Sequence, residues 1–279
     1  MAVTDVRKRT DELKSYARSI GLDLVGIAGI GRFGDVARDH HPASISPEAR
    51  SVIVVGKRIV RGALRGVEEG TQIANYRMYG YSWLENRFLA VMTFKLAEYL
   101  ESDGWEAIPI ANLPPQVPPM GVPVEEGKPA PNVMVDVDAA AVRAGLGEIG
   151  YLNIFLSPQF GPRQRLQAII TDAELEEDPL FSGEICDRSR ELAGLCPLEA
   201  IDASREQVVD ICGKRMKIAT INYKRCKGCQ NGAGPNRHHP AGLPDRVAAL
   251  CMRSLLERLE RQGKLSNTFN NPFRKRDAW

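Results

Sequence analysis

The chain has 279 residues, of which 43% are hydrophobic and 26% charged, with a formal net charge of +2. That length suits one large core or two unequal domains, and the composition is that of an ordinary globular protein. Near-neutral charge gives no whole-protein case for nucleic acid or an anionic membrane, and no apolar run approaches the roughly 20 residues needed to span a bilayer.

In chain order, Leu13, Tyr16, Ala17 and Ile20 recur at helical spacing after Thr4, an expected N-cap. This N-terminal stretch lacks the apolar segment of a signal peptide, so the expected location is the cytoplasm. Residues 24–30 and 51–55 are short, β-branched and bounded by Gly or polar residues, as in buried strands. A helical stripe follows over residues 82–100 (Leu84, Phe88, Val91, Met92, Leu96, Tyr99), stopped by Asp103-Gly104, and residues 105–110 form a further strand. Seven prolines between Asn112 and Pro131 forbid a regular element there, and the apolar residues among them suggest a lid or cavity wall. Residues 165–171 are strand-like, the acidic run 172–178 marks a boundary, and a loop-rich, Cys-containing region leads to a helix expected over 244–262. The terminal basic run 274–276 is a solvated surface, while Phe269, Phe273 and Trp279 indicate a tail that packs on something.

Two glycine-rich stretches differ in kind. Gly29-Ile30-Gly31-Arg32-Phe33-Gly34 satisfies G-x-G-x-x-G, but its following helix is broken by His40-His41-Pro42 and no acidic residue ends a next strand. A strand-to-loop turn is the favoured reading, with His40 and His41 as loop or cap residues. Ala144-Gly145-Leu146-Gly147-Glu148-Ile149-Gly150 lets the backbone turn tightly and approach a bulky ligand, and Tyr151, Asn153 and Ser157 add polar groups among apolar neighbours. The same glycines also suit a helix C-cap and connection.

This block, continued by the segment SPQFGPRQRLQAIITDAEL, resembles the corresponding segment of cobalamin-dependent reductive dehalogenases and epoxyqueuosine reductases. Tyr81, the helix after it and the segment GWEAIPI extend the likeness upstream, so that it covers most of residues 24–235. The resemblance implies an α/β fold: a nitroreductase-like corrinoid-binding core over residues 1–180 and a smaller, degenerate ferredoxin-like region with a C-terminal helix and tail over 181–279. It implies cobalamin as cofactor, with Gly145, Leu146, Gly147, Glu148, Asn153, Ser157, Gly161 and Arg163 around it. Tyr81 and Tyr151 become the candidate proton donors.

Two departures from the family pattern matter. Tyr151 stands where relatives commonly carry Lys or Arg, and tyrosine has no positive charge at neutral pH. The cluster ligands are also depleted. Against C-x-x-C-x-x-C-x-x-x-C-P, Cys186 and Cys196-Pro197 keep the ends while Ser189 and Leu192 occupy the middle, and Ala233 stands where a ligand should follow Cys226-Lys227-Gly228-Cys229. Six cysteines cannot hold two four-cysteine clusters. At most one [4Fe–4S] cluster can be built, from Cys196, Cys226 and Cys229 with Cys212 or Cys251 as the fourth ligand. The rivals are a lost cluster that leaves Cys186 and Cys196 as packed thiols, and a zinc site using Cys226, Cys229 and His238-His239.

The leading functional expectation is a cobalamin-dependent enzyme that reductively removes a leaving group from a small organic substrate, using an electron donor. A second is cluster-free transfer of a carbon group to an acceptor such as a folate or thiol. The third is a non-catalytic corrinoid carrier.

Overall fold

The computed structural model of the chain describes residues 3–110, 121–128, 130, 133–236 and 243–279. The Thr4 side chain, most of the proline-rich stretch and His238-His239 lie outside the described residues. The fold is mixed α/β, and it divides into two compact units. One comprises Met1–Lys57, Arg87–Leu146 and Leu166–Leu180; the other comprises Arg58–Asn86, Gly147–Arg165 and Phe181–Trp279. The chain therefore crosses between them several times, once at residue 180.

The elements in order are α1 (Val3–Ser19), β1 (Leu24–Gly29), β2 (Ser51–Arg58), α2 (Arg65–Glu68), α3 (Ala90–Ser102), β3 (Ala107–Ile110), α4 (Val137–Arg143), β4 (Glu148–Ile149), β5 (Phe155–Leu156), β6 (Gln164–Thr171), β7 (Ile201–Ile211), β8 (Lys214–Ile221), α5 (Tyr223–Cys226) and α6 (Leu250–Arg261). Strands β1, β2, β6 and β3 lie side by side in that order; β1 is antiparallel to β2, with Ile27 opposite Ile53. Continuous burial along β1 and β2 explains why their sequences read as apolar runs rather than alternations. In the first unit Leu13 and Ala17 of α1, Ile27, Ile53, Leu96 and Ile169 share one core, and Tyr16 stacks on Tyr99 at 4.5 Å.

The G-x-G-x-x-G stretch is a short 3-10 turn after β1 (Ile30–Phe33), and the His41 ring accepts from Ala43 N at 3.0 Å to cap the next turn. After α4, Gly145 adopts a left-handed backbone (φ +73). Gly145 N donates to Val142 O and Leu146 N to Ala141 O, both at 3.0 Å. That is the Schellman termination of a helix.

The second unit buries Tyr76, Tyr151, Leu152, Met252, Leu255 and Phe273 together. Ahead of α3, Tyr76–Ser82 and Leu84–Leu89 wind as wide π turns. Gly80 lies under the Tyr76 ring, where a β-carbon would collide, and lends its carbonyl to Arg165 Nε at 2.9 Å. A carbonyl engaged by a side chain is withdrawn from the regular ladder, and such turns gather at functional sites.

Two elements differ from the sequence expectation. The region after residue 181 contains a long antiparallel hairpin, β7–β8, turning at Cys212 (φ +52) and Gly213 (φ +81). The helix expected over 244–262 begins only at Leu250, because Asp245 pairs through its backbone with Gly234 (2.9 and 2.8 Å) and Ala249 is extended. The aromatic tail packs within this unit: Phe273 is buried, Arg61 stacks 3.7 Å over Phe269, and Trp279 Nε1 donates to Val67 O at 2.6 Å.

Candidate functional site

Four of the six cysteines line one cavity in the second unit. Cys196 comes from the loop before β7, Cys226 ends α5, Cys229 follows in the next turn, and Cys251 stands in the first turn of α6. The cavity has about 380 Å³ of empty space, part of it open to solvent, and Pro197, Ile201, Ile221 and Leu250 give it apolar walls. Asn222 caps α5 through Arg225 N at 3.1 Å, and Cys229 N donates to Cys226 O at 3.1 Å, which folds the C-x-x-C segment into a tight turn. Ala200 N donates to Cys196 Sγ at 3.3 Å. Burial raises the Cys226 thiol and takes Cys251 to about 11; in both, the Arg246 charge pulls the other way.

Cys212, the alternative fourth ligand, sits at the β7–β8 turn and is absent from this lining. Cys186 is buried, and its sulfur accepts from Tyr151 N at 3.4 Å. Among the described residues no group of three or more His, Cys, Asp or Glu side chains converges to hold a single metal ion.

Arg246 was not singled out by the sequence. It lines the same cavity, is 7% exposed, and makes no ion pair among the described residues. Its Nη2 donates to Asn153 O at 2.6 Å, and its guanidinium lies 5.3 Å from the Tyr223 ring centre. Asn153, left-handed at φ +50, donates from Nδ2 to the Tyr223 hydroxyl at 2.9 Å. One expected cofactor-wall residue thus belongs to the frame that holds Arg246.

The residue before Arg246 belongs to a second cluster. Asp245 accepts from the Tyr76 hydroxyl (3.0 and 2.8 Å) and from Arg165 Nη2 (3.0 Å). Burial and the Asp245 charge push the Tyr76 hydroxyl well above its ordinary pKa. Arg165 is also 3.8 Å from Glu85 and 5.1 Å from the ring centre of Tyr81, whose hydroxyl donates to Asn236 Oδ1 at 2.9 Å. Arg165 lies within the GPRQR turn, whereas Asp245 belongs to no short recognisable motif; the fold brings Asp245 to Arg165 and Arg165 to Tyr81.

Tyr151 lies elsewhere in the unit, fully buried, donating to Glu206 Oε1 at 2.9 Å. Burial first, then the Glu206 carboxylate, raises its hydroxyl to about 12. The remaining expected cofactor residues serve the protein's own packing. The Cα of Gly145 faces the Pro179 carbonyl and that of Gly147 the Leu156 carbonyl, each too close for a β-carbon; Leu146 packs against Gly26. Glu148 is fully buried, accepts from Ile185 N and Cys186 N (3.1 and 2.8 Å), and pairs with Arg188 and Lys214 (3.4 and 3.5 Å). Ser157 donates to Gln164 Oε1 at 2.8 Å, and left-handed Gly161 packs beneath Leu259 and Leu265. Arg163 is fully buried, donating to Ile59 O at 2.7 Å and Asn267 Oδ1 at 2.9 Å, and burial lowers its pKa to about 10.

No protein-family model matches the chain. The tetrachloroethene reductive dehalogenase of Dehalobacter restrictus is 31% identical over 124 residues, covering 43% of this chain and 19% of the relative. Its namesake from Desulfitobacterium hafniense gives the same figures. The matched segment thus spans about a fifth of these relatives. Among solved structures, a catabolic reductive dehalogenase superposes with a TM-score of 0.59 at 16% identity, over 96% of this chain and 39% of the other. A reductive dehalogenase studied for B12-dependent dehalogenation gives 0.57 over the same shares. An epoxyqueuosine reductase from Bacillus subtilis gives 0.47 at 16% identity, over 69% of this chain and 52% of the other. The chain therefore shares a central segment with tetrachloroethene reductive dehalogenases and, over nearly its whole length, the fold of a catabolic reductive dehalogenase.

Proposed function

We propose that this chain is a reductase of the dehalogenase type that takes electrons in through a single [4Fe–4S] cluster held by Cys196, Cys226, Cys229 and Cys251. The gathering of these four thiols around one cavity carries the reading. The donor set fits: a four-iron cluster takes four thiolates. A cubane is several ångströms across, so its ligands need not converge on one point, in keeping with the lack of a single-ion site among the described residues. A thiolate-ligated cluster is anionic, and Arg246 and the first turn of α6 bring positive charge to its edge. When bound, it would supply electrons one at a time. Cys226 and Cys229 would grip it from one turn, Cys196 and Cys251 from opposite sides of that turn in sequence.

Cobalamin belongs to the reading through the likeness to dehalogenases, one of them studied as B12-dependent. Gly145 and Gly147 do not fit as its cradle, because backbone carbonyls close both Cα faces, and Ser157, Gly161 and Arg163 are engaged internally. In this reading residues 1–180 correspond to the nitroreductase-like core and 181–279 to a reduced ferredoxin-like region.

Tyr81 is the better proton donor of the two tyrosines. Its ring lies beside the Arg165 guanidinium, which stabilises a phenolate after the proton leaves, whereas Tyr151 faces a carboxylate. The substrate class is a small halogenated organic molecule, in line with a fold relative solved with 3-bromo-4-hydroxybenzoic acid.

The test is anaerobic purification, reconstitution with iron, sulfide and hydroxocobalamin, metal analysis, and halide release from a brominated hydroxybenzoate with a reduced one-electron donor. The expected result is about four irons per chain, with halide release that requires the donor. Cobalt without iron, and turnover that needs a group acceptor, would favour group transfer. Cobalamin binding without turnover would favour a carrier, and binding of neither metal would end all three readings.

A further inference from the structure

Arg246 is a buried cation, 7% exposed, without a carboxylate partner among the described residues, on the wall of the four-cysteine cavity. Burying such a charge is costly unless something nearby compensates it. Hydrogen bonding to Asn153 O at 2.6 Å and stacking on Tyr223 fix its position without neutralising it. What it faces are four thiols, which become negative when they ligate iron. The first turn of α6, carrying Leu250 and Cys251 on the same wall, adds the positive end of a helix dipole.

We propose that Arg246 sets the reduction potential of the cluster in this cavity, its fixed charge favouring the reduced form. The inference rests on the four-iron reading above. Reduction adds one electron to the cluster from an external one-electron donor; no bond breaks and no proton is taken up. The added negative charge meets a positive charge already in place, and interaction at short range in a partly dry site is weakly screened. Cluster potentials respond to local charge and solvent exposure. Arg246 is in this sense a positioning and tuning residue, not a ligand.

The test is a redox titration of the reconstituted holoprotein followed by electron paramagnetic resonance, with iron content measured on each sample. Arg246→Gln is expected to keep its iron and titrate at a lower midpoint, while Arg246→Lys stays near the parent protein. An unchanged midpoint in iron-loaded Arg246→Gln would overturn the inference, as would an equal fall in the lysine variant. If Arg246→Gln fails to retain iron, Tyr223→Leu asks the same question by loosening the guanidinium without touching a ligand. A lower midpoint there supports the inference and an unchanged one overturns it. A parent protein that binds no iron would instead defeat the four-iron reading itself, and this inference with it.

Discussion

The Tyr151 hydroxyl donates to Glu206 Oε1 at 2.9 Å, and the same carboxylate is gripped by Arg190 Nε and Nη2 at 2.8 and 2.7 Å. This pairing holds the Tyr151 proton, since ionisation would set a phenolate against a carboxylate. Tyr151→Phe is therefore expected to leave donor-driven turnover within a few-fold of the parent rate. Tyr81→Phe is expected to lower it by roughly 10²–10⁴, the usual range for a lost general acid. Single-turnover rates of the two variants check this; the reverse ranking would make Tyr151 the acid.

The same pair has a pH signature. Arg190 first, then Tyr151 and Lys217, holds Glu206 at about 2, below its ordinary 4.5. A depressed carboxylate stabilises the folded state above its unfolded pKa, and that contribution fades as pH falls from about 4.5 towards about 2. Tyr151 runs the other way: its hydroxyl is raised from 10.0 to about 12, so its contribution is complete below the lower value and is lost as pH rises towards the upper one. Urea unfolding across pH should show Glu206→Gln with a flatter acid limb than the parent, and Tyr151→Phe with a flatter alkaline limb.

Asp245 anchors Tyr76 and Arg165 inside the second unit, and its side chain is 1% exposed. Asp245→Ala would leave the Arg165 charge without its closest carboxylate, a kind of loss that costs about 3–5 kcal/mol for buried pairs. Denaturant titration is expected to place the variant in that range, with Tyr76→Phe milder because it removes the hydroxyl's hydrogen bonds to Asp245 and Arg165 but no charge.

Gly145→Ala tests what the AGLGEIG block is for. At φ +73, with the Pro179 carbonyl against its Cα, an added β-carbon should destabilise the fold by at least about 1 kcal/mol. A corrinoid contact at this glycine would instead appear as weaker cobalamin binding at unchanged stability. Thermal unfolding and a cobalamin titration on one variant separate the two.

Much of the fold was legible where burial is continuous. Strands β1, β2 and β6 are buried nearly throughout and stand out as short β-branched runs. Hairpin β7–β8 was hidden because most of β7 is at least partly exposed and has no clean alternation. Its one local signal was Cys212-Gly213, two successive left-handed residues of a tight hairpin turn. For the proposed site, the spacing of Cys226 and Cys229 and the Cys196-Pro197 pair suggest three ligands, and the fold places all three on one cavity wall. Choosing Cys251 over Cys212 needed the fold, which carries one to the start of α6 and the other to a hairpin tip. Arg246, Asp245 and Glu206 had no motif at all. Their importance comes from what they face after folding, and residue type alone does not encode that.

The choice of fourth cysteine is the most direct test of a single four-iron site. Iron and sulfide should be measured on anaerobically reconstituted parent protein, Cys251→Ser and Cys212→Ser. The parent and Cys212→Ser are expected to hold about four irons each, with the four-iron signal lost or strongly reduced in Cys251→Ser. Full iron loading in Cys251→Ser, or an iron-free parent protein, would contradict a cluster held by Cys196, Cys226, Cys229 and Cys251.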